Sequence, residues 1–228
     1  MNTKTMNALA PRHGSLQAPQ LDYILVDGSS SMMDKWWDSM GALHNFVDVL
    51  KTKNVASHAI LHVFDSYNLE SVQRDDELAK WPATLDDVGA HWGMTPLYDA
   101  ISLMCRRLKE LDPAEGKCSI VIVTDGDENG SKYTDAAQAR AFLDWCRAKG
   151  WQVTFIGADF NNSTQAKLLG ADANNSVGVS KARLLEAGKA LGEKRAKHAL
   201  YGDEINFSED ERKNFGGYLT NGNNGSTH

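Results

Sequence analysis

Five oxygen-bearing residues stand where apolar runs break off. Asp27, Ser29 and Ser31 lie in Asp27-Gly28-Ser29-Ser30-Ser31, directly after LDYILV; Thr95 lies in GMTPL; Asp125 follows SIVIVT and opens DGDEN. Two carboxylates and three hydroxyls, with no His or Cys among them, suit a hard divalent cation. Mg2+ is the first expectation, with Mn2+ or Ca2+ as alternatives. Two carboxylates do little more than offset the charge of such an ion, so an open coordination position would attract a carboxylate from outside. Ser29 and Ser31 are two apart in an extended or turning segment, so both hydroxyls can face one point. Gly28 is expected to let the chain turn sharply between them and Asp27. Humbler roles fit the same residues. The serines can N-cap a helix beginning at Met33, Thr95 can N-cap the helix after it, and the aspartates can close turns.

The elements that would position these groups follow from hydrophobic periodicity. Leu21 to Asp27 reads as a short buried strand. Met33, Trp36, Met40, Leu43, Val47 and Leu50 recur at helical spacing, with Asp34 in the expected first turn. Ala59–Phe64 and Asn68–Gln73 read as two strands joined by a tight hairpin. Arg74–Ala90 reads as a charged linker with room for one short helix. A helix after Gly93 carries the stripe Leu97, Ile101, Met104, Leu108 and Leu111, with Pro96 in its first turn and a stop at Asp112-Pro113. Ser119–Thr124 is β-branched and apolar almost throughout, as in a strand covered on both faces. A helix over Asp135–Lys149 ends before Gly150. Then come a strand at Trp151–Ile156, a short helix at Ser163–Leu169, a short strand at Ser176–Val179 and a long basic helix over Ser180–Tyr201. Strands alternating with helices predict an α/β fold, a doubly wound, open and mostly parallel sheet with helices on both faces and one antiparallel edge strand. In such sheets ligands gather beyond the carboxyl ends of the strands, where the five oxygen-bearing residues fall.

Composition narrows the class. The chain has 228 residues, 42% hydrophobic and 24% charged, with a net charge of −6, so it can form a substantial core and has no general attraction for nucleic acid or anionic lipid. No run of eighteen apolar residues occurs, so no membrane insertion is expected. Three cysteines, Cys105, Cys118 and Cys146, have neither disulfide-framework nor metal-ligand spacing and read as buried free thiols. Met1–Pro11 lacks the apolar core of a signal peptide, which makes a cytoplasmic location the expectation. Residues 1–19 read as a flexible leader, 20–201 as one domain and 202–228 as a C-terminal extension whose tail from Tyr218 is disordered.

Together these motifs resemble the von Willebrand factor A-type domain with a metal ion-dependent adhesion site, in its bacterial or phage branch. The family pattern D-x-S-x-S, a distant T and a D before G is similar to Asp27-Gly28-Ser29-Ser30-Ser31, Thr95 and Asp125-Gly126. GMTPL resembles the family's GGTPL, with Met94 replacing a glycine. VTFIG and AKLLG resemble the bacterial branch, and the likeness covers about residues 20 to 200. It implies that Asp27, Ser29, Ser31, Thr95 and Asp125 are metal ligands, directly or through water. It also implies a non-enzymatic protein-binding module whose cation bridges to an Asp or Glu of a partner protein. Two rival readings stand beside it: a Mg2+-dependent phosphoryl-transfer or hydrolytic enzyme, and a metal-stabilised structural or assembly protein. DGSSS lacks a second acidic residue, no GxxxxGK loop occurs, and no lysine is expected within the clusters as a charge clamp.

The remaining polar residues carry plainer expectations. Asp127 and Glu128 read as a solvated loop and Asp65 as a turn residue. His44, His58, His62 and His91 read as structural. Of the adjacent Trp36 and Trp37, one should be core and the other half exposed. Trp92 packs locally or lines the rim. The basic residues of the last helix, Arg195 among them, read as a solvated face.

Overall fold

A computed structural model describes residues 20–125, 128–158, 163–171 and 174–216. Six strands form one sheet: β1 (Gln20–Asp27), β2 (Ser57–Phe64), β3 (Ser71–Glu77), β4 (Cys118–Thr124), β5 (Gln152–Ala158) and β6 (Ser176–Val179). Their order is β3-β2-β1-β4-β5-β6, and every pairing is parallel except the edge hairpin β2–β3. The helices are α1 (Trp36–Thr52), α2 (Leu97–Leu111), α3 (Ala136–Ala148), α4 (Ser163–Leu168), α5 (Leu184–Tyr201) and α6 (Glu209–Asn214). This is the doubly wound sheet with one antiparallel edge that the alternation predicted.

Strand parity sorts the core into two layers. Ile24 and Val26 pack with Phe46, Leu50 and Leu191 beneath α1 and α5. Tyr23 and Leu25 pack with Ile101, Met104 and Leu143 beneath α2 and α3. α5 lies unusually close to α1. A Cβ on Gly188 would stand 2.0 Å from the Ala42 carbonyl oxygen, and one on Gly192 would stand 3.0 Å from that of Phe46. After α5 the chain returns to the core through buried Ile205, Phe207 and Phe215, and Gly216 bridges antiparallel to Val179. The expected leader and the tail from Tyr218 lie outside the described residues.

Several expectations shift. β3 begins at Ser71, not Asn68, because the Asp65 carboxylate accepts the N–H groups of Tyr67 and Asn68 and turns the chain first. The long helix begins at Trp36, after a single 3-10 turn over Ser30–Met32, so Asp34 precedes the helix and Asp38 sits in its first turn. Pro96, not Thr95, is the N-cap of α2, and it offers that end no side-chain cap. The free N–H groups at that end are capped from outside: Tyr98 donates to Glu128 Oε2 at 3.0 Å and Asp99 to Ser131 Oγ at 3.1 Å. Glu128 is therefore a positioned carboxylate, not a solvated one, while Asp127 lies outside the described residues. Arg195, read as part of a solvated face, is fully buried and bonded through Nε to Asp22 Oδ1 at 2.6 Å.

Candidate metal centre

Strand order decides where a site can form. β1 connects to β2 on one side, while β4 lies on the other, so the crossover reverses between β1 and β4 and leaves a crevice at their carboxyl ends. Asp27 ends β1 and Asp125 follows β4 across that crevice. The register pairing Val26 with Val123 brings Asp27 beside Thr124, whose hydroxyl donates to Asp27 Oδ2 at 2.7 Å. The Ser29 N–H donates to Asp27 Oδ1 at 2.9 Å. Burial pushes the Asp27 carboxyl up to about 6, against the pull of the Thr124 and Ser29 hydrogen bonds.

From Asp27 a chain of short polar contacts runs outward. Ser29 Oγ and Ser31 Oγ are 3.0 Å apart, and Ser31 Oγ donates to Asp125 Oδ1 at 2.7 Å. Ser29 gives no side-chain bond to the start of the 3-10 turn, so the serine hydroxyls serve this cluster rather than capping it. Gly28 has no positive φ. Its lack of a side chain matters for space, since a Cβ there would stand 2.8 Å from Val63 Cγ1 and 3.1 Å from the Ala90 Cβ.

The Thr95 loop is docked onto the serine loop. Ser30 N–H donates to the Gly93 carbonyl at 2.9 Å, and Ser29 and Gly93 form a parallel bridge. Thr95 is buried, and its backbone pairs with Asn129: Thr95 N–H donates to Asn129 Oδ1 at 2.8 Å and Asn129 N–H to the Thr95 carbonyl at 3.1 Å. Trp92 holds the loop from behind. It takes a left-handed conformation (φ 61), donates its N–H to the Gly28 carbonyl and meets Trp36 edge-on at 5.5 Å. Trp36 is core and Trp37 is 63% exposed, as expected of neighbours on a helix.

Four of the five expected residues, Asp27, Ser29, Ser31 and Asp125, are thus linked through their polar groups, and Thr95 lies in a loop hydrogen-bonded to theirs. One participant was missed. Lys35 Nζ donates to Asp125 Oδ2 at 2.8 Å and to the Ser31 carbonyl at 3.0 Å, so a lysine does stand in the cluster. Burial disfavours its charge, but the hydrogen bond and charge of Asp125 outweigh this and hold the ammonium above its usual pKa. Its neighbours in sequence carry no signal of this, because the reach of a flexible stem from the turn before α1 decides it.

Among the described residues no three of His, Cys, Asp and Glu converge. Two carboxylates and three hydroxyls supply oxygen ligands without such a trio. The donor chemistry fits a hard divalent cation, and one cationic group, the Lys35 ammonium, already rests on Asp125 and on the Ser31 backbone.

Solved structures sharing this sheet settle the fold. The chain resembles the von Willebrand factor type A protein from Catenulispora acidiphila at 14% identity, with a TM-score of 0.60 over 78% of this chain and 43% of that one. The fold is that of a von Willebrand factor type A domain. The pilus adhesin SpaC from Lactobacillus rhamnosus GG, in its open conformation, matches at 13% identity with a TM-score of 0.60 over 86% of this chain and 30% of that one. Manganese-loaded Plasmodium vivax TRAP protein matches at 15% identity and a TM-score of 0.50, over 74% of this chain and 71% of that one. The chain spans less than half the length of the first two. No protein-family profile matches it, and neither does any curated protein. Among the described residues no helix is long and apolar enough to cross a membrane.

Proposed function

We propose that this von Willebrand factor type A fold is a divalent-cation-dependent protein-binding module. Asp27, Ser29, Ser31, Thr95 and Asp125 hold Mg2+, or Mn2+ or Ca2+ in its place, and a partner protein supplies an Asp or Glu carboxylate. When bound, the ion supplies an electrostatic bridge between two sets of oxygens that would otherwise repel. The observation that carries this reading is the contact chain Asp27–Ser29–Ser31–Asp125 at the β1/β4 crossover, ended by a cation of the chain itself. A manganese-loaded protein and a pilus adhesin among the structural neighbours support it in kind.

The residues of the chain divide the work. Asp27 sits at the buried base, fixed by Thr124 and the Ser29 backbone. The Ser29 and Ser31 hydroxyls can turn their protons outward and their lone pairs inward, so they suit a cation as well as they suit each other. Asp125 is the carboxylate that Lys35 neutralises in the resting arrangement. Lys35 is half-buried on a flexible stem, so its ammonium can leave for solvent when another positive charge takes its place.

Lys35 is also the one observation that favours the rival enzyme, since a lysine beside two aspartates could clamp a phosphate. Release of p-nitrophenol from its phosphate ester in the presence of Mg2+ would establish that rival. None is expected. The binding reading is tested by calorimetric titration of the full chain with Mn2+ and Mg2+. One binding site is expected, lost in Asp125→Ala and in Ser29→Ala with Ser31→Ala. A folded protein that takes up neither ion at millimolar concentration sinks it.

A further inference from the structure

Exposed large apolar side chains gather around this site. Met33 is 55% exposed, Trp37 63%, Tyr67 77%, Met94 50% and Tyr133 83%. All five lie on the loops and helix starts at the carboxyl end of the sheet. The loops that carry three of them are joined. Met33 follows the serine loop, whose Ser30 N–H bonds to Gly93. Met94 N–H donates to Ser66 Oγ, and its carbonyl accepts from the Ser66 N–H. Tyr67 comes so near Gly93 that a Cβ there would stand 3.1 Å from Tyr67 Cδ2. A Cβ on Gly130 would stand 3.2 Å from the Met94 Cβ, which brings the loop leading to Tyr133 alongside as well. Trp37 stands four residues after Met33 at the start of α1. Exposed Trp, Tyr and Met grouped around a polar centre are the composition of an interface core, not of a solvated surface.

We propose that this apolar collar selects a partner loop in which a single Asp or Glu is flanked by large apolar side chains. The proposal rests on the cation-binding reading above and deepens it. The occupant follows from charge. The centre, once it holds a divalent ion, calls for one carboxylate, and the five collar residues carry no charge of their own. Asp34, exposed beside Met33, and Asp38, near the exposed Trp37, are each paired with a lysine at the outer edge, Lys35 at 3.2 Å and Lys181 at 3.8 Å, so the charges there are balanced. Carboxylates beyond the first would therefore lose their hydration against the uncharged collar without a second ion to meet, whereas one carboxylate among apolar neighbours meets the ion and buries its flanks. The flanks contribute affinity through area removed from water, and the carboxylate contributes register.

The test is a selection of displayed random peptides with a fixed central Asp on the full chain in millimolar Mn2+. It is followed by binding measurements on synthetic peptides and, separately, by Mn2+ calorimetry. Enrichment of aromatic and aliphatic residues next to the Asp is expected. The combined variant Trp37→Ser, Tyr67→Ser, Met94→Ser should bind the selected peptides about tenfold more weakly or worse, with Mn2+ affinity unchanged. Enrichment of acidic or small polar flanks overturns the collar and leaves the metal reading standing. So does the absence of any enrichment while Mn2+ is still taken up. Binding that survives chelation or replacement of the Asp by Asn overturns a carboxylate-centred partner. Self-association that buries the same residues in sedimentation overturns it in favour of a second copy of the chain. Failure of Mn2+ uptake sinks the underlying reading itself.

Discussion

β1 carries a buried aspartate near each end, and the chain treats the two in opposite ways. Asp22, at the amino end, faces α5 and is sealed. Arg195 Nε donates to Oδ1 at 2.6 Å and its Nη2 to Oδ2 at 3.3 Å, the Ser57 hydroxyl donates to Oδ2 at 2.5 Å, and Arg195 also reaches Gln20. Both members of that pair are fully buried. Asp27, at the carboxyl end, is just as buried but among the described residues receives hydroxyl and backbone donors, while the Lys35 cation lies one carboxylate further out. The difference lies in the counter-charge. A guanidinium held in a closed cavity cannot leave, so the Asp22 end is a fastening. An ammonium on an outer turn can leave, so the Asp27 end is a socket for positive charge.

Breaking the fastening should have the largest effect. Arg195→Met strands the Asp22 carboxylate without a partner and should cost about 3–5 kcal/mol in urea unfolding, with most of it recovered when Asp22→Leu is added. If the single variant lost under 1 kcal/mol, the two ends would not differ as described.

At the socket the sign reverses. The folded-state pKa of Asp27, raised by burial from 3.8 to about 6, means that its proton stabilises the metal-free protein fully below about pH 3.8. That contribution is lost as pH rises through about 6. Asp27→Asn escapes the loss, so in chelator it should be more stable than the parent by up to about 3 kcal/mol above pH 7, with the gap closing toward pH 4. The same variant should no longer take up Mn2+. Thermal unfolding in chelator across pH 4 to 8 checks the first part and calorimetry the second. A gap independent of pH would count against the socket.

The smallest expected effect sharpens the contrast. Lys35→Met removes the resident cation, so an incoming divalent ion no longer has to displace it. Mn2+ affinity should rise about three- to tenfold, in line with the modest worth of a partly exposed ion pair. A weaker affinity would make Lys35 a support of the site rather than a competitor.

The fold was legible because fully covered strands write continuous apolar runs, as in SIVIVT, and amphipathic helices write stripes, as from Leu97 to Leu108. Asp27, Ser29, Ser31 and Asp125 were legible because each interrupts such a run. Lys35 was not, since its role depends on how far a flexible stem reaches, not on its neighbours in sequence. Glu128 was hidden in an acidic stretch, although it accepts the N–H groups of Gly130, Ser131 and Tyr98. Arg195 carries a signal of its own: it continues the four-residue spacing Ala187, Leu191, Arg195, Ala199 on the buried side of α5, and Asp22 interrupts an apolar strand facing it. Opposite charges on two inward faces are a pairing statement in themselves.

The glycines of α5 have one more consequence. At Gly188 the backbones of α1 and α5 meet with no side chain between them, at Gly192 α5 rests against the Val49 Cβ and the Phe46 backbone, and Arg195 ties the same helix to β1. Neither helix can slide or roll against its neighbour without first prising the pair apart. Shape changes at the crown must therefore be absorbed by the loops around residues 30, 66, 93 and 130, while the two helices stand beneath them as a stiff pedestal.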